Sequence, residues 1–357
     1  MTARRKNEKV YCNVAARELG LDPAGYAGYF NDAVLIETAL PWKRSVYQEA
    51  GALPQEAIDI MGLWMQRYQE TGVFGHRPLL IAPDDEYSEQ GHRRIVYYER
   101  PCQDETGGMS NTMPNAIPNT MPFAEFARME YLVPEEDAGR LLWALFEDKE
   151  TLPEFDAYRI NGDTHVRDIL VCTHGTIDVA CAKFGYPLYD LLRTEFAMDT
   201  AQAQLRVWRV SHFGGHVFAP TLMDMPTGHY WAYVGEAQAA QIVERNGDVA
   251  DLRDHYRGWA GLEAGFAQAA EREMWQREGW AWFDYARRGN VTAKDVPADE
   301  NKKPQWADVS VHYATQAGAE QSYHAHVEVC RTVETAPSTD HDKLFAYSLY
   351  DVTKMVS

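Results

Sequence analysis

The segment LRVWRVSHFGGHVFAPT (residues 205–221) places two histidines, His212 and His216, on either side of Phe-Gly-Gly. Its first part, LRVWRVS, has the alternating pattern of a β-strand. Gly214 and Gly215 disfavour a helix in the second part, because each glycine in a helix costs about 1 kcal/mol relative to alanine. The segment therefore predicts a strand that ends in a tight loop, where the glycines let the backbone approach a group held by the two histidines.

Two cysteines precede this loop at a spacing that indicates a metal site. In VCTHGTIDVAC (171–181), eight residues separate Cys172 from Cys181, and thirty more separate Cys181 from His212, which gives the pattern C-x8-C-x30-H-x3-H. The first cysteine is predicted at the end of a strand and the second near the start of the following helix. Because the strands of a β-α-β unit end side by side at one edge of the sheet, we expect all four side chains to converge there.

The chemistry of these four side chains restricts what they bind. Two thiolates and two imidazoles are soft to borderline ligands that suit zinc or an iron–sulfur cluster and exclude magnesium or calcium. Structural zinc sites usually take cysteines only two to four residues apart. The longer loop between Cys172 and Cys181 therefore favours a wider group, a [2Fe–2S] cluster, and leaves a structural zinc ion as the alternative.

Residues beside the four candidate ligands are predicted to shape the site. His174 lies between the cysteines and is the obvious alternative ligand. Because four ligands are already available, it is predicted to shape the loop or to orient the ligands without binding the metal itself. Arg209 precedes the histidines and is a candidate to balance the charge of a bound group. Gly214 and Gly215 are expected to leave the loop open to solvent or a partner. Asp178 is predicted to cap the helix that carries the second cysteine.

The composition excludes several classes of partner. The chain has 34 Lys and Arg against 53 Asp and Glu, a net charge of −19, and an isoelectric point near 5.0. Nucleic acids and anionic membranes would repel a chain of this charge, so neither is expected as a partner. An acidic surface is suited to docking on a basic partner protein.

Targeting and cysteine usage predict a soluble, cytoplasmic protein. No apolar stretch follows the basic residues near the N-terminus, and no run of about 18 apolar residues occurs anywhere, so neither a secretory signal nor a membrane span is expected. The five cysteines are sparse, which favours thiols or metal ligands over a disulfide framework. The three that lack a partner at ligand spacing and are predicted to be structural are Cys12, Cys102 and Cys330.

The order of predicted elements indicates the fold class. A chain of 357 residues is long enough for two to three domains. Two successive segments each read as β-α-β-β-β-α, which favours an α/β fold of tandem thioredoxin-like domains. The predicted domains are a degenerate thioredoxin-like domain at 1–150, a thioredoxin-like domain with the cysteines and histidines at 151–250, and a C-terminal α+β appendage at 251–357. The first domain has no equivalent of the cysteine and histidine pattern, so it is predicted to be structural or to bind a partner.

In the first domain, a helix is predicted at 55–72 and a loop at 109–122, a short near-repeat rich in Asn, Pro and Met. The helix is expected to bury an apolar stripe, which consists of Ile58, Met61, Trp64, Met65 and Tyr68.

In the rest of the chain, the helix predicted at 178–196 is expected to break near Gly185 and Pro187. A strand is predicted at 216–224, and residues 253–289 have the pattern of a long helical stretch, divided into two helices at a glycine. The three strands predicted for the C-terminal appendage are WADVSVHYA (306–314), SYHAHVEVCRTV (322–333) and KLFAYSLYDVT (343–353).

The sequence around the candidate ligands resembles that of a known family. CTHGTIDVACAKFGYPLYDLL (172–192), VWRVSHFGGHVFAPTLMDMPTGHYWAYV (207–234) and CNVAARELGLDPAGYAGYFNDAVLIETALPW (12–42) resemble the sucrase/ferredoxin-like family. The spacing is also similar to that of thioredoxin-like ferredoxins, which have two further cysteines where this chain has its two histidines. The resemblance extends from residue 10 to about 290, and one departure is Tyr26, where the family usually has threonine.

The resemblance implies a bis-histidinyl [2Fe–2S] centre, with Cys172 and Cys181 on one iron and His212 and His216 on the other. It thereby identifies 151–250 as a ferredoxin domain. Histidine ligation raises the potential above that of all-cysteine clusters, and the second nitrogen of each imidazole allows a proton to accompany the electron.

The expected function is a one-electron carrier that exchanges electrons with a redox partner protein through a basic docking face on that partner. The sequence contains neither the Cys-x-x-Cys of a thiol oxidoreductase nor a nucleotide-binding glycine motif. Two alternatives stay open. One is a structural zinc protein with the same four ligands, and the other is a cluster-dependent oxidoreductase with a substrate site between its domains.

Overall fold

The structure, a computed structural model, describes residues 10–49, 51–72, 75–101, 121–160, 165–200, 203–299, 302–341 and 343–357. These residues form a mixed α/β fold with one large mixed sheet of ten strands and a separate antiparallel sheet of four strands. The predicted α/β class is confirmed at this level.

The first half of the large sheet contains four strands. The elements of this half are α1 Cys12–Glu18, β1 Asp32–Glu37, α2 Gln55–Thr71, β2 His76–Ile81, β3 His92–Glu99, β4 Ala127–Pro134 and α3 Ala138–Phe146. Strand β1 pairs in parallel with β2 and antiparallel with β3, and β3 pairs antiparallel with β4. Every residue of β1 is buried, as expected for a central strand covered on both faces.

The second half repeats this connectivity. Its elements are β5 His165–Cys172, α4 Val179–Glu195, β6 Met198–Asp199, β7 Ala203–Val210, β8 Leu222–Met225, β9 His229–Trp231, α5 Glu236–Glu244 and β10 Tyr256–Trp259. Strand β5 pairs in parallel with β7 and antiparallel with β8, and β8 pairs antiparallel with β9. Strand β10 then pairs with β9, and the short β6 pairs with β7.

The two halves join through their matching edge strands. Strands β2 and β7 pair antiparallel at Ile81 and Val210, which gives the order β10-β9-β8-β5-β7-β2-β1-β3-β4. In the second half, Cys172 at the end of β5 pairs with Val210 at the end of β7. The first cysteine therefore lies beside the start of the histidine loop, as the sequence predicted.

The C-terminal sheet packs on the second half through one helix. Its elements are α6 Phe266–Glu278, β11 Ala286–Lys294, β12 Trp306–Ala314, β13 Glu320–Thr335 and β14 Phe345–Val356. The four strands form an antiparallel sheet in chain order. The three strands predicted here are confirmed as β12, β13 and β14, and β11 is an additional strand that the sequence did not indicate.

A buried polar group links the two sheets. Arg287 of β11 lies 4.0 Å from the centre of the Trp259 ring, and its Nη2 is 2.7 Å from Nε2 of His229 in β9. Glu271 of α6 pairs with the same guanidinium at 3.8 Å and accepts a hydrogen bond from Trp282. Removing one member of such a fully buried pair leaves the other charge uncompensated, which costs several kcal/mol, about 3 to 5.

Three predictions in the second half and beyond are wrong. Helix α4 does not break at Pro187 but continues through it. The predicted strand at 216–224 is limited to β8, because residues 216–218 form a 3₁₀ turn after Gly215, whose φ is +78°. The long helical stretch at 253–289 is interrupted by β10, so that only α6 is α-helical. All three predictions were made from the local sequence pattern. Sheet pairing and close packing between distant segments outweighed that pattern, and neither can be recognised in a short stretch of sequence.

In the first half, the helix predicted at 55–72 is confirmed as α2, which ends at Gly72 in the left-handed region. The predicted apolar stripe is confirmed in part: Trp64 is buried, and Ile58 and Met61 pack half-buried against the same core. Met65 and Tyr68 are exposed. The residues of the helix that are fully buried are Ala57, Ile60 and Trp64. Most of the predicted loop at 109–122 lies outside the described residues.

Candidate metal centre

The structure brings three of the predicted ligands together at the edge of the large sheet. Cys172 ends β5, Cys181 lies in the first turn of α4, and His212 follows β7. The Nδ1 atom of His212 is 3.7 Å from the Sγ of Cys172 and 3.6 Å from the Sγ of Cys181. The three ligand atoms all lie within 4.8 Å of one another, which makes them the possible metal-binding group among the described residues.

The two thiols are electrostatically unequal. A hydrogen bond from Cys181 lowers the pKa of Cys172 well below its usual range, and His212 and a hydrogen bond from the His174 backbone N–H act in the same direction. The same thiol–thiolate pairing raises the pKa of Cys181. Both cysteines are buried. The thiolate is the form that binds metals. Cys172, the thiol with the lowered pKa, is therefore the one of the pair that ionises more readily.

His216 lies next to this group without being part of it. The rings of His212 and His216 are 5.0 Å apart between centroids and inclined by 31°. The Nδ1 atom of His216 is buried and has no hydrogen-bond partner, while the backbone carbonyl of Pro337 interacts with the same ring. A buried nitrogen without a partner costs free energy unless something binds it. The residues present therefore fit a metal group that takes two thiolates and two imidazoles.

Helix α4 is fixed close to β5, so that the two cysteines meet. The side chain of Asp178 accepts a hydrogen bond from the Ala180 backbone N–H at 2.8 Å, and the predicted N-cap is confirmed. One turn beyond the second cysteine, Gly185 faces the carbonyl oxygen of Cys172, and a Cβ at that position would lie 2.0 Å from it. A side chain of any size at 185 would push the helix away from the strand.

Arg257 is a residue of the site that the sequence analysis missed. It is buried, donates from Nη1 to the Gly214 carbonyl at 3.2 Å and from Nη2 to the Tyr26 carbonyl. A Cβ on Gly215 would lie 2.5 Å from the same Nη2. Burial lowers the pKa of Arg257 to about 10, and the negative charge of Cys172 acts in the opposite direction. Arg257 thus holds the histidine loop and places a positive charge near the thiolates. The sequence around Arg257 did not indicate a role at the site, because residues 253–289 have the pattern of a helix.

The supporting residues named from the sequence occupy different places. His174 is buried, and its Nδ1 accepts a hydrogen bond from the His212 backbone N–H at 3.3 Å. Arg209 lies over the Tyr186 ring at 5.1 Å, on the side of β7 that faces α4. Gly214 and Gly215 both have positive φ angles, +98° and +78°. His174 thus acts on the backbone of a candidate ligand. Of the two arginines, Arg257 is the one whose charge interacts with Cys172.

The other cysteines are distributed unequally. The Sγ of Cys12 lies 3.6 Å from the carbonyl oxygen of His216, close to the centre, and Cys330 is exposed on β13. Cys102 lies outside the described residues. Within the part of the chain that is described, no helix is long and apolar enough to cross a membrane.

Fold and site together define a class: a mixed α/β protein whose candidate metal centre, with cysteine and histidine donors, lies at the ends of neighbouring strands. The family model described as sucrase/ferredoxin-like matches residues 23–258, well over half of the 357 residues. The chain belongs to the sucrase/ferredoxin-like family, as its sequence predicted. No curated protein and no solved structure is significantly similar to it.

Proposed function

We propose that the protein is an electron carrier that binds one [2Fe–2S] cluster through Cys172, Cys181, His212 and His216. The observation that carries the proposal is the group of two buried thiols and an imidazole at the strand ends, inside the range that matches the sucrase/ferredoxin-like family. The unpartnered Nδ1 of His216 supplies a fourth donor beside it. This donor set is soft to borderline and suits iron–sulfur or zinc chemistry.

The chain's own residues would hold, shield and tune the group. Both cysteines would bind the cluster through their sulfur atoms, and the two histidines would bind it through Nδ1. When bound, the cluster would supply one-electron transfer, with a proton on the outer nitrogen of each imidazole. Arg257 would offset the negative charge of the thiolates. The His174 backbone N–H, which donates to the Cys172 sulfur, would stabilise that thiolate further.

We further propose that the two halves of the large sheet are tandem thioredoxin-like domains, at 1–150 and 151–250, with an appendage at 251–357. The repeated connectivity supports this: in each half the first strand is parallel to the second and antiparallel to the third. A cytoplasmic location is part of the proposal. The cysteines among the described residues form no disulfide, as is usual in a reducing compartment.

The redox partner is proposed to present a basic docking face. The net charge of −19 attracts a positively charged protein over distances of about one Debye length, near 8 Å at physiological salt. Association should therefore slow as salt rises.

Spectroscopy on anaerobically purified protein tests the central claim. We expect a red-brown protein with visible absorption, an electron paramagnetic resonance signal after one-electron reduction, and iron and acid-labile sulfide in equal amounts. Stoichiometric zinc without sulfide would reject the cluster.

A structural zinc ion is the second candidate, and one observation favours it. The ligand atoms of Cys172, Cys181 and His212 lie within 4.8 Å of one another, a spacing that a single ion can span. In that case the purified protein would be colourless and would contain zinc in a one-to-one ratio with the chain.

A further inference from the structure

The loop between β13 and β14 reaches the candidate metal centre from the C-terminal sheet. Thr339 in this loop donates two hydrogen bonds to the carboxylate of Asp178, from its backbone N–H to Oδ2 and from its hydroxyl to Oδ1, both at 2.7 Å. The carbonyl of Pro337, two residues earlier, interacts with the His216 ring. One loop therefore contacts the cap of the cysteine helix and a candidate histidine ligand at once.

Helix α1 completes this contact from the other end of the chain. The backbone N–H of Cys12 donates to the Thr339 hydroxyl oxygen at 3.3 Å. Its thiol lies 3.8 Å from Oδ2 of Asp178 and 3.6 Å from the carbonyl oxygen of His216. Asp178 and Cys12, which lie 161 and 327 positions from Thr339 in the chain, thus both contact the Thr339 side chain.

The carboxylate that these segments share is held in its charged form. Burial alone would raise the pKa of Asp178, but the hydrogen bonds from Thr339 and from the Ala180 backbone outweigh it and lower the pKa below its usual value. A charged carboxylate at the N-terminus of α4 also interacts favourably with the helix dipole. Because Asp178 caps the turn that contains Cys181, a displacement of its carboxylate displaces that cysteine.

A second bridge joins the same two regions. The Tyr26 ring contacts Phe218 beside the histidines and Tyr347 of β14, at centroid distances of 5.4 Å and 5.8 Å. Its hydroxyl donates to the Ser348 carbonyl at 2.9 Å. The Tyr26 side chain thus spans from the residues beside the histidines to the C-terminal sheet.

We propose that the C-terminal sheet closes the metal centre, with Thr339 as a positioning residue that sets Cys181 through Asp178, while Pro337 in the same loop sets His216. This inference rests on the proposed function, since it requires that the four ligands hold a metal group. Cys12, Pro337 and Thr339 all lie outside residues 23–258, the range of the family match. The closure gives the C-terminal sheet a role in retaining the metal group.

The test compares three single variants in the full-length, metal-loaded protein. Thr339→Val removes the hydroxyl but keeps the branched shape, Thr339→Ser keeps the hydroxyl, and Thr332→Val is the matched control on an exposed position of β13. The readouts are the rate of metal release to a chelator, the visible or paramagnetic resonance spectrum, and the free energy of unfolding in urea. The spectrum reports ligand geometry, which a loss of stability alone would not change.

We expect Thr339→Val to release metal about tenfold faster than the wild type, the factor that corresponds to one lost hydrogen bond to a charged group. Its spectrum should shift, and Thr339→Ser should restore both properties, whereas Thr332→Val should match the wild type. Wild-type release and an unchanged spectrum in Thr339→Val would overturn this inference alone. A wild-type protein that holds neither iron nor zinc would overturn the proposed function, and the inference with it. If Thr339→Val does not fold, a wild-type spectrum and release rate in Tyr26→Thr, which removes the second bridge, would equally count against closure.

Discussion

Gly185 of α4 packs directly against the backbone of Cys172 at the end of β5, so closely that a Cβ on Gly185 would lie 2.0 Å from the Cys172 carbonyl oxygen. The atom in the way belongs to the backbone of a buried strand, which cannot turn aside as a flexible side chain can. This contact fixes the distance between the strand that carries the first cysteine and the helix that carries the second, Cys181. The geometry of the thiol pair therefore depends on the absence of a side chain at a position outside the ligand set.

Gly185→Ala should accordingly weaken the metal centre. We expect the free energy of unfolding to fall by about 1 to 3 kcal/mol, the usual cost of overpacking, and metal content to fall because the cysteines separate. The control is Gly62→Ala in α2, where nothing lies within 4 Å of the added Cβ. There alanine should stabilise by about 0.5 to 1 kcal/mol. Urea unfolding and metal analysis of both variants make the comparison, and a Gly185→Ala protein with wild-type metal content would contradict it.

Arg257 should affect stability and redox potential separately. Arg257→Met removes the hydrogen bonds to the carbonyls of Gly214 and Tyr26 together with a buried charge, and should cost about 3 kcal/mol or more of stability. Loss of a positive charge near the thiolates destabilises the more negative, reduced state, so the potential should fall. Arg257→Lys keeps the charge but not both hydrogen bonds. It should therefore lose stability, while its reduction potential should stay close to that of the wild type. Equal potentials in the two variants, measured by redox titration, would show that the charge does not act on the centre.

The sequence was sufficient to predict that Cys172, Cys181 and His212 lie together, for an identifiable physical reason. The ends of parallel neighbours such as β5 and β7 lie side by side, so a cysteine that ends one strand and a histidine that follows the other come together without any knowledge of side-chain packing. The N-cap at Asp178 was equally local, since it depends on one carboxylate and the next turn of backbone. Both features follow from short stretches of chain.

What the sequence did not reveal depends on contacts between distant segments. Arg257 lies in a stretch whose local pattern is helical, and only the pairing of β10 with β9 places it against the histidine loop. Thr339 carries no local signal, because the carboxylate to which it donates belongs to Asp178, 161 positions away. Pro187 was expected to break α4, yet the helix continues through it, where packing against β5 outweighs the hydrogen bond that proline removes.

Cysteine variants should separate ligands from neighbours. Cys181→Ser should abolish metal binding, because it removes a thiolate that the other donors cannot replace. Cys330→Ser should leave the metal content unchanged, since Cys330 is exposed on β13. Cys12→Ser should also retain the metal, because its sulfur faces the Asp178 carboxylate and the His216 carbonyl and not the thiol pair. Iron, zinc and sulfide analysis of the three variants provides the measurement. Loss of metal in Cys330→Ser would mean that the ligands are misassigned.

His229 should make the folded state sensitive to mild acid. It is fully buried, stacked on Phe283 at 3.7 Å, and its Nε2 lies 2.7 Å from Nη2 of Arg287. Burial first, and then the positive charges of Arg287, Arg245 and Arg167, lower the pKa of His229 well below 6.5. The nearest negative charges, Glu271 and Asp224, are already paired with these arginines. The imidazole therefore stays neutral in the folded protein while it takes up a proton in the unfolded chain.

A group with a lowered basic pKa favours unfolding as pH falls, because the unfolded state binds more protons in that window. Stability from this source is fully present above the unfolded pKa of 6.5 and decreases steadily below it. Between about pH 7.5 and 5.5, one such histidine should cost about 1.4 kcal/mol. In His229→Gln, which keeps an acceptor for Arg287 but has no titratable group, that part of the pH dependence should disappear. Urea unfolding of both proteins at the two pH values isolates it, since acid effects on the metal ligands are common to both and cancel in the difference. If the variant and the wild type lose equal stability on acidification, His229 is not buried in its neutral form.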